Sequence, residues 1–190
     1  MMNINMIYFA EGRIPQRIGN RYESTYPYDS FKTKDGDVII GAGNDKLYRL
    51  LCQEMGREDL LEDSRFRTVS DRVANHEAMK EYVEAWTLEQ TVDEVADRLN
   101  KIGVPSSPIN TIDRVARDPQ IAGARKMFVD VEHPVAGKVT VTNNQLKFTH
   151  REAAPQASAP LLGQHNEDVY CGLLKLDKAE LDRLKAEGTI

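Results

Sequence analysis

The residues best suited to binding a ligand lie where a predicted strand leads into a predicted helix, at Gly41-x-Gly43-Asn44. Free backbone amides at the start of a helix bind phosphate and other anions, and glycine lets a ligand come close to the backbone. The third glycine of the dinucleotide-binding fingerprint is absent, and no acidic residue closes a βαβ unit about 20 residues later. Gly41, Gly43 and Asn44 are therefore the candidate substrate-binding residues, with a purely conformational role for the glycines as the alternative.

The remaining polar residues do not form a recognisable reaction centre. The sequence is rich in carboxylates, but nearly all lie on predicted polar helix faces or at helix starts, where solvation and the helix dipole explain them. No Gly-x-Ser-x-Gly elbow and no Walker loop is present in the sequence. We therefore assign no catalytic residue to this chain.

The cysteines and histidines have spacings that do not fit a metal site. Cys52 and Cys171 are far apart among apolar neighbours, which predicts two reduced, unreactive thiols. The four histidines lack a metal-ligand spacing, so no metal is expected. His165 follows a glycine turn and precedes a predicted helix, and it could cap that helix, carry a proton in a cleft or serve as a structural histidine.

Composition indicates a folded globular protein. The chain has 190 residues, of which 41% are hydrophobic and 29% charged, enough for one domain or for a small domain with an appended segment. A formal net charge of −5 argues against a nucleic-acid partner. The longest apolar runs are strand-length, so no membrane contact is expected, and the amino terminus lacks the basic region of a secretory signal. We expect a cytoplasmic protein.

The first half of the chain is predicted to mix helices with a hairpin. A first helix ends at Glu11-Gly12 and is apolar on several faces, which predicts that it packs against further protein. Tyr28 to Thr33 and Asp37 to Ala42 predict two strands joined by an Asp-Gly turn. Helices follow after Asn44, over about 75–86, and after the capping-box pattern that begins at Thr91.

The second half is predicted to contain fewer elements. An extended stretch over 104–109 precedes a short helix that starts at Asp118-Pro119. Residues 127–131 and 138–142 predict a second hairpin, and 149–159 reads as an extended linker before a final helix capped by Asp177.

The order of several short motifs resembles that of the class III coenzyme A transferases, a family that includes formyl-CoA transferase, carnitine CoA-transferase (formerly carnitine dehydratase) and α-methylacyl-CoA racemase. The resemblance covers nearly the whole chain, and the ordered set is specific although each motif alone is loose. These motifs are Arg17-x-Gly19-Asn20, Pro27-Tyr28-x-x-Phe31-x-Thr33-x-Asp35-Gly36, Arg65-Phe66 with Arg72 and Asn75, Gly103-Val104-Pro105-x-x-Pro108, Asp118-Pro119-Gln120, and Ala159-Pro160-Leu161-Leu162-Gly163-x-His165.

The resemblance implies a fold, an activity and partners. It implies the small mixed α/β (α+β) domain of these enzymes over 27–132, preceded by a helix and linker over 1–26 and followed by a segment over 133–190 that returns to a large domain. The implied activity is transfer of coenzyme A, supplied as a thioester, between carboxylic acids through an aspartate that belongs to sequence preceding the matched region. The large domain would be provided in cis or in trans, in an interlocked homodimer. An acyl-CoA racemase fragment and a non-catalytic assembly module are the alternatives.

Overall fold

The computed structural model describes residues 2–151, 153–155 and 157–190. Small antiparallel sheets and helices alternate along the chain, so the predicted mixed α/β fold class is confirmed. Two compact units are present, the first ending at Ile109 and the second beginning at Asn110. The boundaries expected from the family resemblance, after residues 26 and 132, stay predictions.

The first unit contains three strands and five helices within the described residues. The strands are β1 (Tyr28–Lys32), β2 (Asp37–Gly41) and β3 (Ser106–Pro108). The helices are α1 (Met2–Glu11), α2 (Asp45–Glu54), α3 (Val69–Ala74), α4 (His76–Thr87) and α5 (Val92–Lys101), with a 3₁₀ turn at Glu58–Leu61 between α2 and α3.

A three-stranded antiparallel sheet holds the first unit together, in the order β1, β2, β3. The predicted hairpin of β1 and β2 is confirmed, with Tyr28 opposite Gly41. The predicted extended stretch after α5 forms β3, whose Ser107 lies opposite Ile39. Alternate residues of a strand face one side of a sheet, and here one side is buried beneath α2, α4 and α5. That core includes Phe31, Val38, Ile40, Leu51, Met79, Val83, Val95 and Leu99.

Side-chain caps open three helices of the first unit, α2, α3 and α5. The side chain of Asn44 accepts a hydrogen bond from the Leu47 amide at the start of α2, as predicted. Thr91 and Glu94 form the predicted capping box of α5. A further capping box, Thr68 with Asp71, opens α3, a helix that the sequence did not predict because six residues give too short an apolar pattern.

The second unit is built from short elements. It contains α6 (Ile112–Val115), a π-helix at Pro119–Ala124, the strands β4 (Phe128–His133) and β5 (Gly137–Thr142), a π-helix at Asp168–Leu173, and α7 (Lys178–Ala186). The second hairpin is confirmed by the antiparallel pairing of β4 with β5. Asp118 and Asp177 cap their helices as predicted, and the described residues of 149–159 form neither helix nor strand.

Helix α1 confirms the prediction of an apolar first helix that ends before Gly12. Ile4, Met6, Tyr8 and Phe9 are each at least half exposed. At this spacing they lie on more than one side of the helix. Short helices are marginal in water unless an apolar face packs against other protein. Among the described residues, no helix is both long and apolar enough to cross a bilayer.

Candidate functional site

The predicted site residues lie together where β2 passes into α2. Gly41 is the last residue of β2, Gly43 lies in the connection, and Asn44 is the residue that caps α2. The two glycines are buried, whereas Asn44 is exposed. The contacts of each residue show whether it has a structural role.

Gly41 lies against neighbouring backbone and an aromatic ring. Its amide donates a hydrogen bond of 2.8 Å to the carbonyl of Pro105. A Cβ at this position would lie 3.3 Å from the Tyr28 ring and 3.6 Å from that same carbonyl oxygen. The close approach of three chain segments accounts for a glycine here without a ligand.

Gly43 has an even tighter neighbour in Thr25. The hydroxyl of Thr25 donates a 2.7 Å hydrogen bond to the carbonyl of Gly43. An added Cβ would lie 2.3 Å from that hydroxyl oxygen and 2.9 Å from the Thr25 methyl carbon, distances that no side chain tolerates. Packing against Thr25 therefore requires glycine at this position.

Asn44 faces solvent beside other polar groups. Its side-chain oxygen accepts from the Leu47 amide at 2.9 Å, which occupies one of the amides at the start of α2. Asp45 follows in the first turn and meets Arg72 at 2.7 Å. A cleft of about 220 Å³ opens next to this turn and is lined by Asp45, Tyr48, Arg49, Leu61, Glu62, Arg67 and Arg72.

Arg72 connects the cleft to the core, a role that its local sequence did not predict. Its side chain is fully buried and donates to the carbonyls of Tyr26 at 2.9 Å and Phe66 at 3.0 Å. The guanidinium also stacks over the Tyr48 ring at 4.4 Å. A buried arginine is rare unless its donors are all engaged. Its appearance among the motifs of the family resemblance was the available signal.

A second buried charge lies on β1 and was also missed. Asp29 is 5% exposed and meets the ammonium of Lys80 at 3.1 Å. Lys80 also donates to the carbonyl of Ser30 and approaches the Phe31 ring. The pair attaches α4 to the hairpin, so its evident role is structural.

Several carboxyl groups of the described residues have a displaced pKa. Where the pKa of a carboxyl group is displaced, it moves down, because neighbouring donors stabilise the charged form, as Arg57 does for Asp59. Burial raises the pKa of the Cys52 thiol to about 11, so this cysteine stays protonated at neutral pH. Cys52 is buried and Cys171 half-buried, and neither forms a disulfide in the structure.

His165 is exposed and does not cap the helix after it. Its Nδ1 lies 3.6 Å from a carboxylate oxygen of Asp168, in the first turn of the π-helix. The side chain is 56% exposed, so its imidazole is accessible to solvent. Residues 2–151, 153–155 and 157–190 contain no group of three or more potential metal ligands.

The family model described as CoA-transferase family III matches residues 1–166. This chain belongs to that family. A relative at 30% identity is the succinyl-CoA–D-citramalate CoA-transferase of Chloroflexus aurantiacus; the match covers 96% of this chain and 46% of the relative. The succinyl-CoA:mesaconate CoA-transferase of Haloarcula hispanica is 32% identical, over 85% of this chain and 40% of its own length.

Solved structures agree with the CoA-transferase family III assignment. A CAIB/BAIF family protein from Brucella suis superposes with a TM-score of 0.77 at 34% identity, covering 90% of this chain and 44% of that protein. The chain thus spans less than half the length of the relatives it matches. The resemblance to class III CoA transferases, confined to one part of the family's length, is confirmed.

Proposed function

We propose that this chain is the carboxyl-terminal part of a CoA-transferase that moves coenzyme A between carboxylic acids. Family membership over residues 1–166 is the observation that carries the proposal. The named relatives from Chloroflexus and Haloarcula are CoA-transferases that use succinyl-CoA. The substrates of the complete enzyme are therefore an acyl-CoA thioester and a free carboxylic acid, with no metal involved.

The proposed reaction is covalent catalysis by an aspartate outside this chain. The aspartate carboxylate attacks the thioester carbonyl, the carbon–sulfur bond breaks, and coenzyme A leaves as a thiolate while an anhydride forms. The thiolate then attacks the aspartyl carbonyl, which releases the first acid and leaves an enzyme thioester. A second carboxylate attacks the enzyme thioester, which forms a new anhydride and releases the coenzyme A thiolate. The thiolate then attacks the acyl carbonyl of this anhydride, which gives the new acyl-CoA and restores the aspartate. Atoms and charges therefore balance without a redox partner.

The role of this chain is to pack against the large domain that holds that aspartate, supplied in cis or in trans, in an interlocked cytoplasmic homodimer. The exposed apolar side chains of α1 support this role, because large apolar surfaces of soluble proteins are seldom left uncovered. Gly41, Gly43 and Asn44 shape a wall of the substrate cleft: the two glycines keep the backbone close to Thr25 and Pro105. This chain contributes no catalytic residue.

A segment exchange tests the proposal. This chain would replace the matched carboxyl-terminal part of the Chloroflexus relative, and transfer of coenzyme A from succinyl-CoA would be followed by chromatography. We expect turnover from the exchanged protein, and none from this chain alone or from the relative without the segment. Turnover by this chain alone, or an inactive but folded exchanged protein, would contradict the proposal.

A further inference from the structure

The second unit contains a cleft of about 510 Å³ that is remote in sequence from the predicted site. It lies between the turn before β4 and the stretch after β5. Four cationic side chains line it, together with an imidazole, and the described lining residues include no carboxylate. These residues are Arg125, Lys126, Lys147, Arg151 and His150.

The charges of this cleft are not neutralised by the described part of the chain. None of the described carboxylates forms an ion pair with Lys126, Lys147 or Arg151. Arg125 donates to a neutral carbonyl, that of Gln145, at 2.8 Å. By contrast, Lys138 in the adjacent hairpin meets Asp130 at 2.8 Å. The described lining residues therefore contribute a positive charge to the cleft, in a chain whose net charge is −5.

The wall of the cleft is held in place by backbone contacts. The Asn143 amide donates to the Met127 carbonyl at 2.8 Å, and its side chain donates to the Lys126 carbonyl at 2.7 Å. Lys126 has φ of +47°, a left-handed conformation that residues other than glycine adopt at a cost. Such residues persist where the surroundings hold them, and they cluster at ligand sites.

An aromatic ring lies among these cations. Phe148 lines the same cleft and is 57% exposed. Guanidinium and ammonium groups form charge-assisted hydrogen bonds with phosphate oxygens, and an exposed aromatic ring stacks on a nucleobase. The volume also falls within the usual range for small-molecule sites.

We propose that this cleft binds a ligand with two or more phosphate groups next to a flat base, such as a nucleoside diphosphate. Arg125, Lys126, Lys147 and Arg151 bind the phosphates, and Phe148 stacks on the base. A free nucleotide and the nucleotide part of coenzyme A share this chemistry. The inference goes beyond the proposed function, because binding requires neither acyl transfer nor the aspartate outside the chain.

Calorimetric titration of the full chain with ADP, pyrophosphate and coenzyme A tests the charge requirement. Lys147→Glu and Arg151→Glu should each lower the affinity for ADP and pyrophosphate about tenfold, because each replaces an attraction to phosphate by a repulsion of similar size. Lys46→Glu makes the same change of net charge at an exposed position of α2 and should leave binding unchanged. Raising the salt concentration to about 0.15 M should weaken the binding of all three ligands.

The stacking requirement has its own variant. Phe148→Ala should lower the affinity for ADP about fivefold or more and leave the affinity for pyrophosphate unchanged. Leu162→Ala, at an exposed position outside the cleft, is the matched control. Tighter binding of coenzyme A than of ADP would assign the cleft to the coenzyme, and equal binding would assign it to free nucleotides.

Two results would overturn the proposal. One is the absence of binding by all three phosphate compounds to the folded chain. The other is an equal loss of affinity in Lys46→Glu and Lys147→Glu, which would reduce the binding to a general charge effect. Neither result depends on turnover, so failure here is distinguishable from failure of the CoA-transfer assay.

Discussion

Four paired arginines of the first unit contrast with the cationic cleft of the second unit. In the first unit Arg57, Arg65, Arg72 and Arg98 each meet a carboxylate at 2.6 to 2.7 Å. In the second unit the cleft presents its four cations without a described carboxylate partner. The comparison teaches that Arg72 and Arg98 fasten distant segments of the first unit to one another, whereas the cations that line the cleft of the second unit are available to an anion.

The strongest test of the first half of this comparison is to remove Arg72. Arg72→Ala leaves two carbonyls of the core without their donor and opens a cavity beside Tyr48. We expect a loss of about 3–5 kcal/mol in the free energy of unfolding, measured by urea titration.

Arg49→Ala is the matched control, because Arg49 lines the same small cleft but is exposed. Its effect should stay within about 0.5 kcal/mol. Equal losses in the two variants would refute the view that Arg72 fastens the segments of this unit.

The next effect concerns the predicted site glycines. Gly43→Ala places a methyl group against Thr25 and should destabilise the chain by about 1–3 kcal/mol. Combining it with Thr25→Ala should recover part of that loss, since the two positions are in direct contact.

Gly36→Ala serves as the control, because nothing lies within 4 Å of the added carbon. If Gly43→Ala were as stable as Gly36→Ala, and weakened only substrate binding in the exchanged enzyme, the packing explanation would be wrong and a ligand role favoured.

A smaller effect is expected at the start of α5, where the capping box was predicted from the sequence. Thr91→Ala removes the side chain that accepts from the Glu94 amide at the start of α5. A loss of about 1 kcal/mol is expected in thermal or chemical unfolding. Thr91→Ser keeps the acceptor oxygen and should remain close to the wild type; if both variants lost stability alike, capping would not be the cause.

A further effect depends on pH and on a buried neutral group. The pKa of Cys52 is raised in the folded state to about 11, so its contribution to stability is complete below the ordinary thiol pKa. That contribution is lost as the pH rises through about 11. Between pH 9 and 11 the wild type should therefore lose more stability than Cys52→Ala, and parallel unfolding curves over this range would contradict the assignment.

Much of the fold could be predicted from the sequence because its signals are local. Asn44, Thr91, Asp118 and Asp177 all cap the helices that they were expected to open. Both hairpins were also predicted, since each combines alternating residues with a turn between them.

Contacts between residues distant in sequence were not predictable in this way. The pairing of β3 with β2 joins residues 38–40 to 106–108, and Arg72 reaches Tyr26 across 46 positions. The cleft of the second unit likewise forms only when residues 124–126 meet residues 143, 146–151, 153 and 154. Sequence periodicity and spacing do not report contacts between residues so far apart in the chain. These parts of the site could therefore not be predicted from the sequence.

Hydrogen exchange at α1 tests the central claim most directly. If this chain is built to pack against a large domain, the α1 amides should exchange rapidly in the isolated chain, because Ile4, Met6 and Phe9 lack cover there. In the exchanged enzyme, with the amino-terminal part of the Chloroflexus relative present, the same amides should be protected. Equal protection of α1 in both proteins would contradict the account.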